Sequence, residues 1–526
     1  MSGPMNSDRE IGGVRPRDLS AMPPVATTPV AAVAAAVSAA RAAQPAWEAM
    51  GFAARAEAMT KAAKAILERA DEVAQLVEDE GGKIRPFALM TEVNGPLEFL
   101  KGWIKVAKPY LKSRKMPFNP LAMPGKSGRT DLIARGVVGV IAPWNYPLGV
   151  YFKPVTPALL CGNAVVLKPS EYAPRTGAWF TAIMNEFLPK GVVQCVQGGR
   201  DVGQALVDGG IDSLIFTGSV GGGKAVVKQA AAHMLPVSIE LGGKDAAIIL
   251  DDCNLDRTVA GVLGVGLLNS GQDCGAIERV YVQEGFADRF VEKLGAMAAQ
   301  LKAPGPQDDA STAGISPVCN AAQLKLIEDH VADALAKGAK LVTGGKATGR
   351  GLWFQATILD RCDHTMKVVM EETFGPVLAI IRVKDVEEAV RLANATSYGL
   401  NASIWTSDLA RGQQLALRME CGSVFINNHG FTGAVPFAPW TGVKDTGYGV
   451  ANSEFAMHTF VRPRSVIVDK STVPDFWWPP ADKVLQEIGE RLVKVQLGSL
   501  GLALGLPGRM KRRQKMLMDM VRGNKA

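Results

Sequence analysis

The 526-residue chain lacks the marks of several common classes. Its seven cysteines, Cys161, Cys195, Cys253, Cys274, Cys319, Cys362 and Cys421, are odd in number, scattered and never spaced C-x-x-C. That pattern argues against a disulfide framework and against a thiolate zinc site, so no metal is expected and a reducing, cytoplasmic setting is. No apolar run reaches the ~20 residues that cross a bilayer. The alanine-rich stretch 30–44 has no basic segment before it, and it runs on into an amphipathic pattern. It reads as a helix of the folded body rather than a secretory leader. Charge of one sign is also scarce: the net is +7, and residues 481–526 alone hold ten Lys/Arg against four acids. The main body is therefore nearly neutral, with no field for nucleic acid, and the C-terminal segment is a separate basic element.

What is present is an ordinary globular composition, 47% hydrophobic and 21% charged. Residues 1–29 are polar and read as a tail. From 30 to 110 the pattern is helical, with a stop at Gly81-Gly82, and 112–130 is broken by Pro117, Pro120, Pro124 and Gly125 as an extended arm. Short β-branched runs then alternate with helical segments: "GVVGVIAPW", "NAVVLKPS", "VVQCVQG", "SLIFTGS" and "VSIELGG". This is the texture of βαβ units and a parallel sheet. A second alternation follows with "RVYVQ", "KLVTGG", "FQATILD", "VLAIIRV" and "CGSVFIN". No internal repeat is evident.

Five segments carry possible chemistry. Cys274 sits in "SGQDCGA", among small and polar neighbours that give a thiol no apolar niche and leave it open to a substrate. Glu240 ends an apolar strand before two glycines, a position suited to a general base. Asn145 lies in the rigid loop "APWNYPLG", where its amide could donate to an oxyanion. "FTGSVGGGKA" approaches a P-loop, but Ala225 replaces the hydroxyl that would hold magnesium, and the strict G-x-G-x-x-G is absent. A strand, a Gly-rich turn and a helix start still make an anion cradle. In "LKPSE", Lys168 and Glu171 follow a strand and could bond ribose hydroxyls.

Taken in order, "PWNYP", "GNAVVLKPSE", "FTGSVGGG", "ELGGK", "GQDC" and "EETFGPV" resemble the aldehyde dehydrogenase superfamily from about residue 30 to 470. The resemblance implies an α/β fold: a Rossmann-like NAD-binding domain (30–240, interrupted by an arm at 112–134), an α/β catalytic domain (241–445) and a β oligomerisation segment (446–470). It makes Cys274 the nucleophile, Glu240 the base and Asn145 the oxyanion donor. Lys168 and Glu171 would meet the adenosine ribose; Gly218, Ser219 and Gly223 would line the pyrophosphate turn. Glu372 would hold the nicotinamide ribose, with Phe374 packed near that ring and Trp144 beside the cofactor path. The expected reaction is oxidation of an aldehyde to a carboxylic acid with NAD, with NADP disfavoured by Glu171, in a homodimer or homotetramer. One rival is a coenzyme A-acylating dehydrogenase, which generally lacks the base at 240. Another is a catalytically silent scaffold recruited to membrane.

The chain departs from the family at Val220-Gly221, at Ala246 and in "PFAPWTGVKDTGYG" (436–449), where a Pro and a Trp are inserted near the expected substrate entrance. Residues 471–526 lie outside the resemblance. "FWWPP", an amphipathic helix at 482–497, an apolar stretch at 498–508 and a basic end together suggest a peripheral membrane contact, and with it hydrophobic or long-chain aldehydes.

Overall fold

The computed structural model describes residues 6–7, 10–119, 123 and 125–523. Pro120 and Pro124, cited above for the extended arm, lie outside them. Two units emerge from the packing: residues 1–111 with 133–462, and residues 112–132 with 463–526.

The larger unit holds two sheets. The first has five parallel strands in the order Val237–Glu240, Ser213–Thr217, Val137–Ile141, Ala164–Lys168 and Val193–Cys195. Their β-branched runs are buried on both faces, as a helix-covered parallel sheet requires. The helices Val30–Ala49, Gly51–Glu68 and Ala70–Gly81 precede it, and the last ends at Gly82, left-handed at φ 75°. The second sheet has seven strands, Lys340–Thr343, Thr357–Asp360, Val377–Val383, Ile277–Gln283, Asp245–Ile249, Asn401–Trp405 and Ser423–Ile426. Only its first strand is antiparallel to its neighbour. This is the α/β fold with a Rossmann-like sheet that the sequence implied.

Two features were not legible in the pattern. "VSIELGG" reads as a strand with none after it before "RVYVQ", but "DAAII" is also a strand and lies in the other sheet. The chain leaves the first sheet after Glu240, passes through Leu241-Gly242-Gly243-Lys244, and enters the second at Asp245. Glu240 thus stands at the crossing from one sheet to the other. The stretch 1–29, read as a tail, contributes the paired strands Glu10–Val14 and Ala21–Ala26. Pro23 and Pro24 hide that second strand from a propensity reading, yet proline is admissible on an edge.

In the smaller unit, Val461–Asp469, Lys126–Ala134 and Arg114–Lys115 form a three-stranded sheet, the first and second strands crossing its boundary by two residues each. Lys126 is held there by Asp469 and Asp475. Residues 483–521 make a helical hairpin: Lys483–Gln496, a bend containing Leu500–Gly505, and Leu506–Val521. Arg513 is its fastening, buried and donating to Asp482 and to the carbonyls of Phe476, Trp478 and Pro480. The apolar stretch 498–508 is therefore a bend and the start of a helix.

Candidate active site

The loop before the strand Ile277–Gln283 presents Cys274. It is tightly wound: Asn269, Ser270 and Gly271 all take left-handed φ, at 51°, 56° and 70°. Two of these are not glycine, so the turn stores strain that its surroundings must hold. They do so through Gln272, whose side chain accepts from Cys319 N (2.8 Å) and donates to the carbonyls of Asn269 and Pro317. The Gln272 carbonyl in turn accepts from Asn145 Nδ2 at 3.1 Å, while Asn269 Nδ2 donates to the Asn145 carbonyl at 3.0 Å. The proline-framed loop and the cysteine loop are thereby tied together. Asn145 keeps one amide hydrogen for a ligand, and its buried Oδ1 has no partner among the described residues.

The same loop is anchored from behind. Tyr146 donates to Asp273 Oδ2 at 2.8 Å, and the Lys83 ammonium lies 3.6 Å from its ring centroid. Lys83 pairs with Glu92 in the interior, and Glu92 accepts from Gly149 N. Breaking such a buried pair by removing one partner costs about 3–5 kcal/mol, so these groups fix the loop's position.

One cavity of ≈ 340 Å³ gathers Cys274, Asn145 and Glu240. Trp144, Gly218, Ser219, Glu372 and Phe374 line it as well. The Cys274 thiol is desolvated there. Burial pushes its pKa well up and the neighbouring Asp273 pushes in the same direction, while Lys153 opposes both.

Lys153 was not found in the sequence. Its Nζ stands 3.6 Å from Glu240 Oε2 and 4.8 Å from the ring centroid of Trp440. Its signal was available, because it is the one charged residue in the helix Pro147–Leu160, "PLGVYFKPVTPALL". A lone ammonium in an apolar helix needs a partner, and here the partner is the candidate base. Trp440 comes from the segment that departs from the family. It is buried against Gly275, where an added Cβ would lie 2.8 Å from its ring, so the residue after the cysteine must be glycine.

The remaining candidates divide. Ser219 caps the helix Val220–Ala232 by accepting from Gly222 N. Glycine is needed at 218, since a Cβ would lie 2.9 Å from the Phe216 ring. Gly223 does not line the cavity; it lets the helix approach Leu241, which a Cβ would meet at 2.4 Å. Its part is helix–strand packing, the same reason a Rossmann turn ends in glycine. Glu372 accepts from Gly243 N at 3.0 Å, and a Cβ on Gly242 would collide with its carboxylate. Burial, followed by the charge of Glu278, raises the Glu372 carboxyl to about 8. Phe374 has φ 50° and meets Trp144 edge to face at 5.5 Å. Its backbone N and that of Thr373 donate to Glu278, which also binds the buried Lys244.

Lys168 and Glu171 stand apart from this cavity, at the carboxyl end of the strand Ala164–Lys168. Lys168 is buried, and desolvation lowers its pKa. Its ammonium lies 3.7 Å from the Glu171 carboxylate, close enough for the two charges to pair. All seven cysteines are free thiols. Among the described residues no group of three or more His, Cys, Asp or Glu is placed to hold a metal.

Residues 5–466 match the model of the aldehyde dehydrogenase family. The chain is 35% identical over 438 residues to lactaldehyde dehydrogenase of Escherichia coli (strain K12), covering 82% of this chain and 89% of that one. It is 35% identical over 441 residues to 4,4'-diapolycopene aldehyde oxidase of Methylomonas sp, covering 82% and 81%. Its fold resembles that of an aldehyde dehydrogenase from Bacillus cereus solved as an NAD+ complex, with a TM-score of 0.83, 29% identity and coverage of 88% and 94%. A match across most of its length, on a fold that gathers the expected thiol, amide and carboxylate in one cavity, means that this chain belongs to the aldehyde dehydrogenase family.

Proposed function

We propose that the chain oxidises an aldehyde to the free carboxylic acid with NAD+, carrying the acyl group on Cys274. The observation behind this reading is the shared cavity of Cys274, Asn145 and Glu240, with Glu372, Phe374 and the Ser219 turn on its wall.

The residues present suit a dinucleotide. Gly218 and Ser219 lie at a helix N-terminus, where backbone N–H groups favour a pyrophosphate. Lys168 and Glu171 form a pair of a cation and a carboxylate matched to ribose hydroxyls. A carboxylate there accepts from a 2′-hydroxyl and repels a 2′-phosphate, which favours NAD+ over NADP+. Glu372 would take the second ribose.

The chemistry of this chain's own groups follows. At rest the thiol keeps its proton, because burial and Asp273 disfavour the thiolate. Glu240 takes that proton as sulfur bonds to the carbonyl carbon, and the π pair moves to oxygen. The free N–H of Asn145 and the backbone N–H of Cys274 stabilise the oxyanion; one such donor is typically worth ~10²–10³ in rate. NAD+ held by these residues would supply the hydride acceptor, and loss of hydride from the adduct would leave a thioester on Cys274. Glu240, having passed its first proton to solvent, deprotonates a water that attacks the thioester and releases the acid. Lys153 places a positive charge beside both anionic partners and so limits the cost of charging either.

The substrate end is walled by Trp103, Val150, Pro154, Trp440, Val450 and Phe460, which supports a hydrophobic aldehyde. Val461–Asp469 stands at one end of its three-stranded sheet, a position from which a strand can pair with another copy, which supports a homodimer or homotetramer. Steady-state NADH formation across an aldehyde chain-length series tests the reading. It should need no coenzyme A, favour longer chains, and fall by ~10³-fold or more in Cys274→Ala. A requirement for coenzyme A would overturn the hydrolytic step, and no NADH with any aldehyde would overturn the whole.

A further inference from the structure

The bend of the C-terminal hairpin exposes what a protein surface usually hides. Leu497, Leu500 and Leu504 are 81%, 72% and 90% exposed and fall within eight residues, while Leu506 just beyond is buried. The hairpin is not short of a core: Ile488, Leu506 and Leu517 are buried, with Arg513 beneath. The three leucines are thus left over after the hairpin has packed. Single exposed apolar residues need no explanation, but a cluster on one bend does.

Its surroundings carry mainly positive charge. The guanidinium groups of Arg491 and Arg509 converge at Gly505, with nitrogens 3.6 and 2.9 Å from where a Cβ would stand. Lys494, Lys511, Arg512 and Lys515 are exposed on the two helices beside the bend. Of the acids on the hairpin, Asp482 pairs with Arg513, Glu487 lies 3.5 Å from Arg509 and Glu490 accepts from Gln486, which leaves the cations in excess. Trp477 and Trp478 of the same unit are 43% and 50% exposed. No helix of the described residues is long and apolar enough to cross a membrane, so the arrangement is one for lying on a surface.

We propose that this bend docks the enzyme on an anionic lipid bilayer, the three leucines entering the interface while the flanking Lys and Arg meet lipid phosphates. The charge decides the occupant. A second copy of residues 481–526, ten Lys/Arg against four acids, would bring a net +6 against +6, whereas an anionic leaflet complements it. Leucine and cation together also match the two-part binding of interfacial helices, apolar burial plus electrostatic attraction.

The test uses the full chain and vesicle flotation, with phosphatidylcholine alone and with added phosphatidylglycerol. The parent should float with the anionic vesicles, and rising salt should release it. L497S/L500S/L504S should lose at least about tenfold of that binding, given the transfer energy of three buried leucines. K494Q/K511Q/R512Q should lose preference for the anionic vesicles. Turnover of a short, soluble aldehyde should match the parent in both variants, which shows that they fold and separates this result from failure of the catalytic reading. Binding unaffected by the leucine variant, equal binding to neutral and anionic vesicles, or no binding by the parent would each overturn the proposal. A change of oligomeric state in the leucine variant without any vesicle binding would assign the bend to another copy instead.

Discussion

Lys168 and Glu171 stand 3.7 Å apart at the end of one strand, and Lys153 and Glu240 stand 3.6 Å apart, brought together from a helix and a strand distant in sequence. The first pair is lopsided: the lysine side chain is 6% exposed and the glutamate 37%. The second is even, at 16% and 14%, and both of its members line the cavity that holds Cys274. Equal separation therefore gives different chemistry. On the proposed reading, the open carboxylate over a buried ammonium serves as a recognition edge for hydroxyls, while the two enclosed charges beside the thiol set the electrostatics of the reaction. A third pair, Lys244 with Glu278, is buried at both ends and braces the backbone of Thr373 and Phe374.

The comparison can be broken residue by residue. Glu240→Gln should have the largest effect, a fall of ~10²–10⁴ in steady-state turnover, because both proton transfers need this base. Lys153→Met should come next, on the order of tenfold at neutral pH. A cation beside the thiol favours the thiolate and so lowers its pKa; removing it raises the pKa further. The rise of kcat/KM with pH should therefore move to higher pH in this variant, which a pH–rate profile reads directly. An unmoved profile would reduce Lys153 to a packing role. Lys168→Met should leave kcat largely intact and raise the KM for NAD+ by roughly tenfold, since uniform binding alone is lost. Glu171→Gln should be mildest, a several-fold narrowing of the NAD+ over NADP+ preference in kcat/KM.

The two pairs also show what a sequence reveals. Lys168 and Glu171 are neighbours along the chain, so a strand followed by "KPSE" states the pair outright. Cys274, Asn145 and Glu240 were legible because each sits at an element end among small or rigid residues, a local signature. Lys153 was not, because its meaning lies in a partner from another element. Trp440 was seen as a departure, but its seat on Gly275 depends on how a distant loop returns. Gly223 was read as lining the turn when its glycine is demanded by Leu241 behind it. The βαβ texture gave away both sheets. The crossover hidden in "ELGGKDAA" did not show, because strand propensity is silent about which sheet a strand joins.

The account rests most heavily on an acyl group carried by Cys274. Glu240→Gln should slow thioester hydrolysis more than thioester formation, because Lys153 still favours the thiolate in the first step while the attacking water loses its base, so the intermediate should accumulate. Mixing that variant with aldehyde and NAD+, quenching in acid and measuring the intact and peptide masses tests this directly. The account predicts a mass increase equal to the acyl group, confined to the peptide containing Cys274 and absent without NAD+. An unmodified Cys274 in a variant that still releases a burst of NADH, or an acyl group on any other residue, would contradict it.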